Sequence, residues 1–207
     1  MQKEEIKKIY SRYSPVYDVI FSRAFSPRIK CGLEKIGIKN GQRILEVGVG
    51  TGLSLSLYPN SCNVVGIDIT RKMLEKAQQK KEKMGLTHVD LIEMDAENLT
   101  FEDDSFDHAV IPFVISVVPS PERMMAEVKR VTKTNGKIII VNHFSSGNAF
   151  FFTIEKMLAP LFIRLGWKSG LTLDLLSNHC NLCIEEVTRK HSLDLWWVVH
   201  VTNKKDT

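Results

Sequence analysis

Apolar and aromatic side chains recur at intervals of three and four along residues 6–25, through Ile6, Ile9, Tyr10, Tyr13, Tyr17, Ile20 and Phe21, with Pro15 interrupting the run. That spacing predicts two short amphipathic helices with a break, and residues 28–36 continue the helical pattern. "KNG" at 39–41 turns the chain into "RILEV", a short buried strand that runs straight into a cluster of glycines. The alternation then repeats, with a helix near 53–57, the strand "NVVGID" at 63–68, a helix over 71–84 and the strand "VDLIEMD" at 89–95. The segment "SFDHAVIPFV" from Ser105, a helix over 122–131, the turn "KTNGK" and the strand "IIIVNHF" at 138–144 follow. Strands alternating with helices predict an α/β fold built on a doubly wound, mostly parallel sheet. After Ser169 the pattern changes to a helix over 171–180 and two strand-like segments, 183–189 and 192–202, close enough to form an antiparallel hairpin at one sheet edge. No repeat, low-complexity tract or linker divides the chain, and 207 residues at 43% hydrophobic suit a single domain over 1–207.

Charge sharpens this picture. The net charge is only +4, but Lys3, Lys7, Lys8 and Arg12 open the chain and Lys72, Lys76, Lys80, Lys81 and Lys83 cluster later. Such clusters suit an anionic surface, lipid or nucleic acid, without choosing between them. The cysteines Cys31, Cys62, Cys180 and Cys183 are few, and the charged opening has no apolar signal segment, so a reducing cytoplasm is expected. "HCNLC" at 179–183 offers half of a zinc site without a second ligand pair; buried thiols and no metal are expected.

The stretch "RILEVGVGTGLSL" sets Gly48, Gly50 and Gly52 in the first strand-to-helix loop. In an open α/β sheet that loop makes the closest backbone approach to a ligand beyond the carboxyl ends of the strands. A dinucleotide fingerprint would place its last glycine at position 53, which is Leu53. Glu46 beside the loop would repel a pyrophosphate and attract a cationic ligand. Asp68, ending the second strand, can accept both hydroxyls of a ribose, and Asp95, ending the third, can reach an adenine amino group. Taken singly, each glycine also suits a tight turn and each aspartate a helix cap.

In this order and spacing "ILEVGVGTG", "VVGIDIT", "EMDAENL" and "DDSFDHAV" resemble the class I S-adenosylmethionine-dependent methyltransferases, over nearly the whole chain. The resemblance implies a Rossmann-like seven-stranded, mostly parallel sheet with an antiparallel last strand. It also implies S-adenosyl-L-methionine as cofactor, with Glu46 and the Gly48 and Gly50 backbone around the methionine part, Asp68 on the ribose, Asp95 with Ala96 on the adenine, and Gly52 and Ile69 also among the cofactor-binding residues. Tyr13 and Tyr17 stand one helical turn apart, where they can close over the cofactor or offer aromatic faces to a methylated ammonium, or simply form core.

The stretch "YSRYSPVYDVIFSRAFSPR" from Tyr10, with "ISVVPSPERMMAEVKRV" and "VNHFSSGNAFFFTIEKMLAPLFIRLGW", resembles the soluble bacterial phosphatidylethanolamine N-methyltransferases. That implies a phospholipid amine as acceptor, methylated successively towards phosphatidylcholine by a monomer at the inner face of the membrane. The apolar insert 149–169 is too short and too interrupted by Glu155, Lys156, Pro160 and Arg164 to span a bilayer. It reads as an interfacial helix or acyl-chain cover, or as the core helix of an ordinary lid. The N-terminal helical cap over 1–36 would dock on an anionic leaflet at ~1 kcal/mol per basic residue near the surface.

The acceptor amine is largely protonated at neutral pH, so a base is required; His143, following "IIIVN" at the rim, is the candidate, and with Tyr13 it forms the expected catalytic set. A histidine bonding across the rim reads the same way. Arg23, Arg28 and Lys168 flank the site and are candidates for the lipid phosphate. A nucleic-acid amino methyltransferase usually carries Asp or Asn before Pro-Pro, whereas "VIPFV" has Ile111 before a single proline, so no nucleic-acid partner is expected. A quinone or other small hydrophobic acceptor, or a noncatalytic cofactor-binding protein, remains the alternative.

Overall fold

The computed structural model describes residues 3–13, 17–144, 171–189, 194 and 196–205, with the backbone alone for 13 and 17–24. Helices α1 (Lys3–Tyr13) and α2 (Tyr17–Ile36) precede strands β1 (Arg43–Val47) and β2 (Asn63–Asp68), helix α3 (Arg71–Met84), and strands β3 (Val89–Glu93) and β4 (His108–Pro112). Helix α4 (Pro121–Val131) and strands β5 (Lys137–His143), β6 (Ile184–Thr188) and β7 (Trp196–Thr202) complete the order. The seven strands form one sheet in the order β3-β2-β1-β4-β5-β7-β6, in which β7 alone runs against its neighbours. Chain progression reverses between β1 and β4, which makes their carboxyl edge the topological switch point, where open α/β sheets bind ligands.

The central strands are buried on both faces, which is why they read as continuous apolar runs. Alternation along β1 sends Leu45 and Val47 into the core packed under α4, and Ile44 into the core that α2 and α3 cover through Ile29, Leu33, Leu74 and Ala77.

Three expectations change. The helix expected near 53–57 is a single 3-10 turn, Leu55–Leu57, because Pro59 forces Tyr58 into an extended conformation that ends it. The second N-terminal helix is one long element that absorbs 28–36 and continues through Pro27. The helix expected over 171–180 shrinks to a short stretch whose last turn, Leu175–His179, is π-helical. The connection 94–107 is held by Arg130, which donates to the carbonyls of Leu99 and Phe101 and pairs with Asp103 at 2.8 Å. The expected insert 149–169 lies outside the described residues, as does Lys168.

Candidate active site

The loop after β1 is fixed to β2 before any ligand arrives. Gly48 and Val49 N–H groups donate to the Ile67 carbonyl at 2.8 and 2.9 Å, and Gly50 N–H donates to Asp68 Oδ2 at 3.0 Å. Gly48 has φ +73°, and a Cβ there would come within 1.9 Å of Val114 Cγ2, so only glycine lets the β1 and β4 loops meet. Asp68 Oδ1 also accepts the Thr70 N–H at 2.7 Å. Burial pushes the Asp68 carboxyl up to about 6, against the lowering effect of the Thr70 and Gly50 N–H groups.

These residues form one end of a cleft at the carboxyl edge of the sheet. Gly48, Gly50, Asp68 and Ile69 line it, Asp95, Ala96 and Glu97 close its far end, and Met73, Met94, Val117 and Val118 supply apolar walls. Helix α1 forms another wall through Lys3, Ile6 and Tyr10. Space for a backbone-hugging ligand at Gly50, a carboxylate suited to paired hydroxyls, and apolar walls ending at a second carboxylate fit S-adenosylmethionine part by part. No group of His, Cys, Asp and Glu able to hold a metal occurs among the described residues.

Glu46 lies elsewhere than expected. Strand alternation turns it with Ile44 away from the cleft, where it is 1% exposed. Ser54 Oγ donates to its Oε1 at 2.5 Å and Tyr58 OH to its Oε2 at 2.6 Å. The carboxylate therefore braces the segment that follows the glycines instead of facing the ligand. Burial pushes it up to about 7, opposed by the two hydroxyls. An acid raised from an unfolded value of 4.5 costs stability fully above about 7, and the cost vanishes below 4.5. Glu46→Gln is therefore expected to stabilise the apo protein more at pH 8 than at pH 5, by about 2 kcal/mol. Denaturant unfolding at both pH values checks this; an equal effect at both refutes it.

Beyond Pro112 the rim is aromatic. Phe113 lines the cleft in a left-handed backbone conformation, φ 61°, that a bulky residue seldom adopts away from a functional site. Its ring stacks on Phe25 with centroids 3.5 Å apart and meets Trp196 edge-on at 5.3 Å. His143, half-buried at the end of β5, lies 5.8 Å from the same indole. Asn142 beside it is buried, accepting from Ser116 Oγ at 3.4 Å.

Of the other expected site residues, Arg28 is placed against its assigned role. It is 15% exposed and its Nη2 donates to both oxygens of buried Asp194, at 2.7 and 2.8 Å, which ties α2 to the strand-β7 segment and spends the charge inside the protein. Tyr13 closes α1, Tyr17 opens α2 and Arg23 lies within α2, with side chains outside those described. Sequence reasoning passed over Lys3, Glu97, Phe113 and Trp196. For Phe113 a signal existed, since it directly follows a strand beside the switch point.

A family model described as a methyltransferase domain matches residues 45–140. A phosphatidylethanolamine N-methyltransferase of Cereibacter sphaeroides is 40% identical over 190 residues, which is 91% of this chain and 92% of that one. A demethylmenaquinone methyltransferase of Bacillus cereus is 30% identical over 183 residues, covering 81% of this chain and 76% of its own. Among solved structures, a SAM-dependent methyltransferase of Thermotoga maritima superposes with a TM-score of 0.71 at 20% identity, over 95% of this chain and 99% of that one.

Proposed function

The chain belongs to the S-adenosylmethionine-dependent methyltransferases, and on that footing we propose that it methylates the amine of phosphatidylethanolamine and its partly methylated products, towards phosphatidylcholine. The observation that carries the reading is 40% identity to such an enzyme across 92% of its length, against 30% for the demethylmenaquinone methyltransferase. Bound in the cleft, S-adenosylmethionine supplies an electrophilic methyl group on a sulfonium, a leaving group good enough to need no acid catalyst.

The protein's own work is then to hold, orient and dry the reacting groups. In this reading the backbone at Gly48, Gly50 and Gly52 takes the methionine part, Asp68 and Ile69 the ribose, and Asp95 and Ala96 the adenine. The acceptor enters from the aromatic rim. One proton must leave the ammonium for each methyl transferred, and His143 takes it, leaving a nitrogen lone pair free to attack. Phe113 and Trp196, with Tyr13 and Tyr17, offer aromatic faces to a cation that loses N–H donors at each step and so depends increasingly on such faces. Arg23 and Lys168 stay assigned to the lipid phosphate, while Arg28 is withdrawn on account of Asp194.

Lys7, Lys8 and Arg12 of α1 form one surface with Lys72, which supports peripheral docking of a monomer on an anionic leaflet. No helix among the described residues is long and apolar enough to cross a membrane. The deciding assay incubates protein and radiolabelled methyl donor with vesicles of phosphatidylethanolamine and an anionic lipid, and separately with demethylmenaquinone. Label is expected in mono-, di- and trimethylated headgroups; label in the quinone alone overturns the acceptor.

A further inference from the structure

Helix α1 closes one side of the cofactor cleft, and Lys3 fastens it there. Lys3 Nζ lies 2.6 Å from Asp95 Oδ2 and 2.8 Å from Glu97 Oε2. The remaining oxygens are also engaged: Asp95 Oδ1 accepts the Glu97 N–H at 2.9 Å, and Glu97 Oε1 accepts the Ser120 N–H at 2.8 Å. Lys3 thus ties the first turn of α1 to the segment after β3 and, through Glu97, to the N-cap of α4. The helix also packs against α3.

Two carboxylates two residues apart repel one another unless a cation sits between them. Glu97 is 4% exposed at its side chain, so water screens this poorly. Burial alone would raise the Asp95 carboxyl. The Lys3 hydrogen bond, the Glu97 N–H and the charges of Lys3 and Lys7 outweigh that and hold it below the usual carboxylate range. With the clasp closed, Lys3, Asp95 and Glu97 still line the cleft together with Gly48, Gly50 and Asp68.

We propose that Lys3 is a positioning residue for the cofactor: it fastens α1 over the far end of the cleft and holds the Asp95 carboxylate in place there, so that the adenine amine meets a fixed acceptor and bound cofactor leaves slowly. This rests on the reading that puts the adenine at Asp95. It gives the first turn of the chain a share in cofactor affinity, separate from any attraction of α1 to an anionic surface.

The test needs no acceptor. S-adenosylhomocysteine binding is measured by calorimetry and stopped flow on the full chain and on Lys3→Met, Lys3→Arg and Asp95→Asn, with apo thermal melts as a folding control. Lys3→Met is expected to weaken binding about fivefold, mostly through faster dissociation, as suits a partly exposed ion-pair cluster. Lys3→Arg restores most of it, the parent's affinity falls with added salt while that of Lys3→Met does not, and the acid limb of the affinity profile moves to higher pH in Lys3→Met. Parent-like affinity in Lys3→Met, or no rescue by arginine, overturns the proposal. If Asp95→Asn also binds like the parent, the adenine placement itself fails; if Asp95→Asn is weakened while Lys3→Met is not, only the role of Lys3 falls.

Discussion

Asp68→Ala is expected to lower S-adenosylhomocysteine affinity by about a hundredfold, while leaving the protein folded. The size follows from what the carboxylate does twice over. It anchors the glycine loop through Gly50 and the start of α3 through Thr70, both by N–H donation to a charged acceptor. It also lines the cleft where, in the proposed reading, the ribose hydroxyls need an acceptor. Hydrogen bonds to charged groups are worth about 1.5–3 kcal/mol each, so losing the ligand's share and loosening the loop reaches about two decades. Asp68→Asn keeps one acceptor oxygen and is expected to fall between alanine and the parent. The same carboxyl predicts a pH dependence. Because burial raises it to about 6, it takes up a proton as pH falls through that value, becomes a poorer acceptor, and cofactor affinity should decline on the acid side. Calorimetric titrations across that range check both statements. An alanine variant with parent affinity removes Asp68 from the site.

The central strands were legible because they are buried on both faces and read as mainly apolar runs, as the burial of 44–47 in "RILEV" and of 138–142 in "KIIIVNH" shows. The positions of Gly48 and Asp68 were legible for a related reason: a loop that passes this close to another chain segment admits no side chain, and the last residue of β2 lies at the carboxyl edge, where both line the cleft. Glu46 was misplaced although the information was present, since the alternation that buries Ile44 under α2 carries Glu46 to the same side. What no local pattern reveals is pairing across the chain. Arg28 and Asp194 are 166 residues apart, and Lys3 and Asp95 are 92 apart, so a charge that reads as a free surface cation finds its partner only once the sheet has assembled. The loop clamp by Arg130 is of the same kind, an arginine on α4 satisfying carbonyls of a segment that would otherwise read as an ordinary connection.

His143→Ala is expected to lower kcat on phosphatidylethanolamine vesicles by about 100-fold or more, the usual range for a missing general base, with S-adenosylhomocysteine affinity within about twofold of the parent. The position argues for it: β5 ends at the carboxyl edge next to β4, and the histidine is half-buried there, opposite Trp196 in the β5–β7 ladder. A ring at that edge can reach an acceptor entering past Phe113 while staying clear of the cofactor end at Asp95. An imidazole that only braces the rim against Trp196 would give a different pattern, because glutamine can preserve a hydrogen bond and much of the shape but cannot carry the departing proton. His143→Gln therefore separates the two roles. Loss equal to that of alanine marks the base. Activity restored by glutamine assigns His143 to the architecture of the rim and leaves the proton to a water path from the acceptor side.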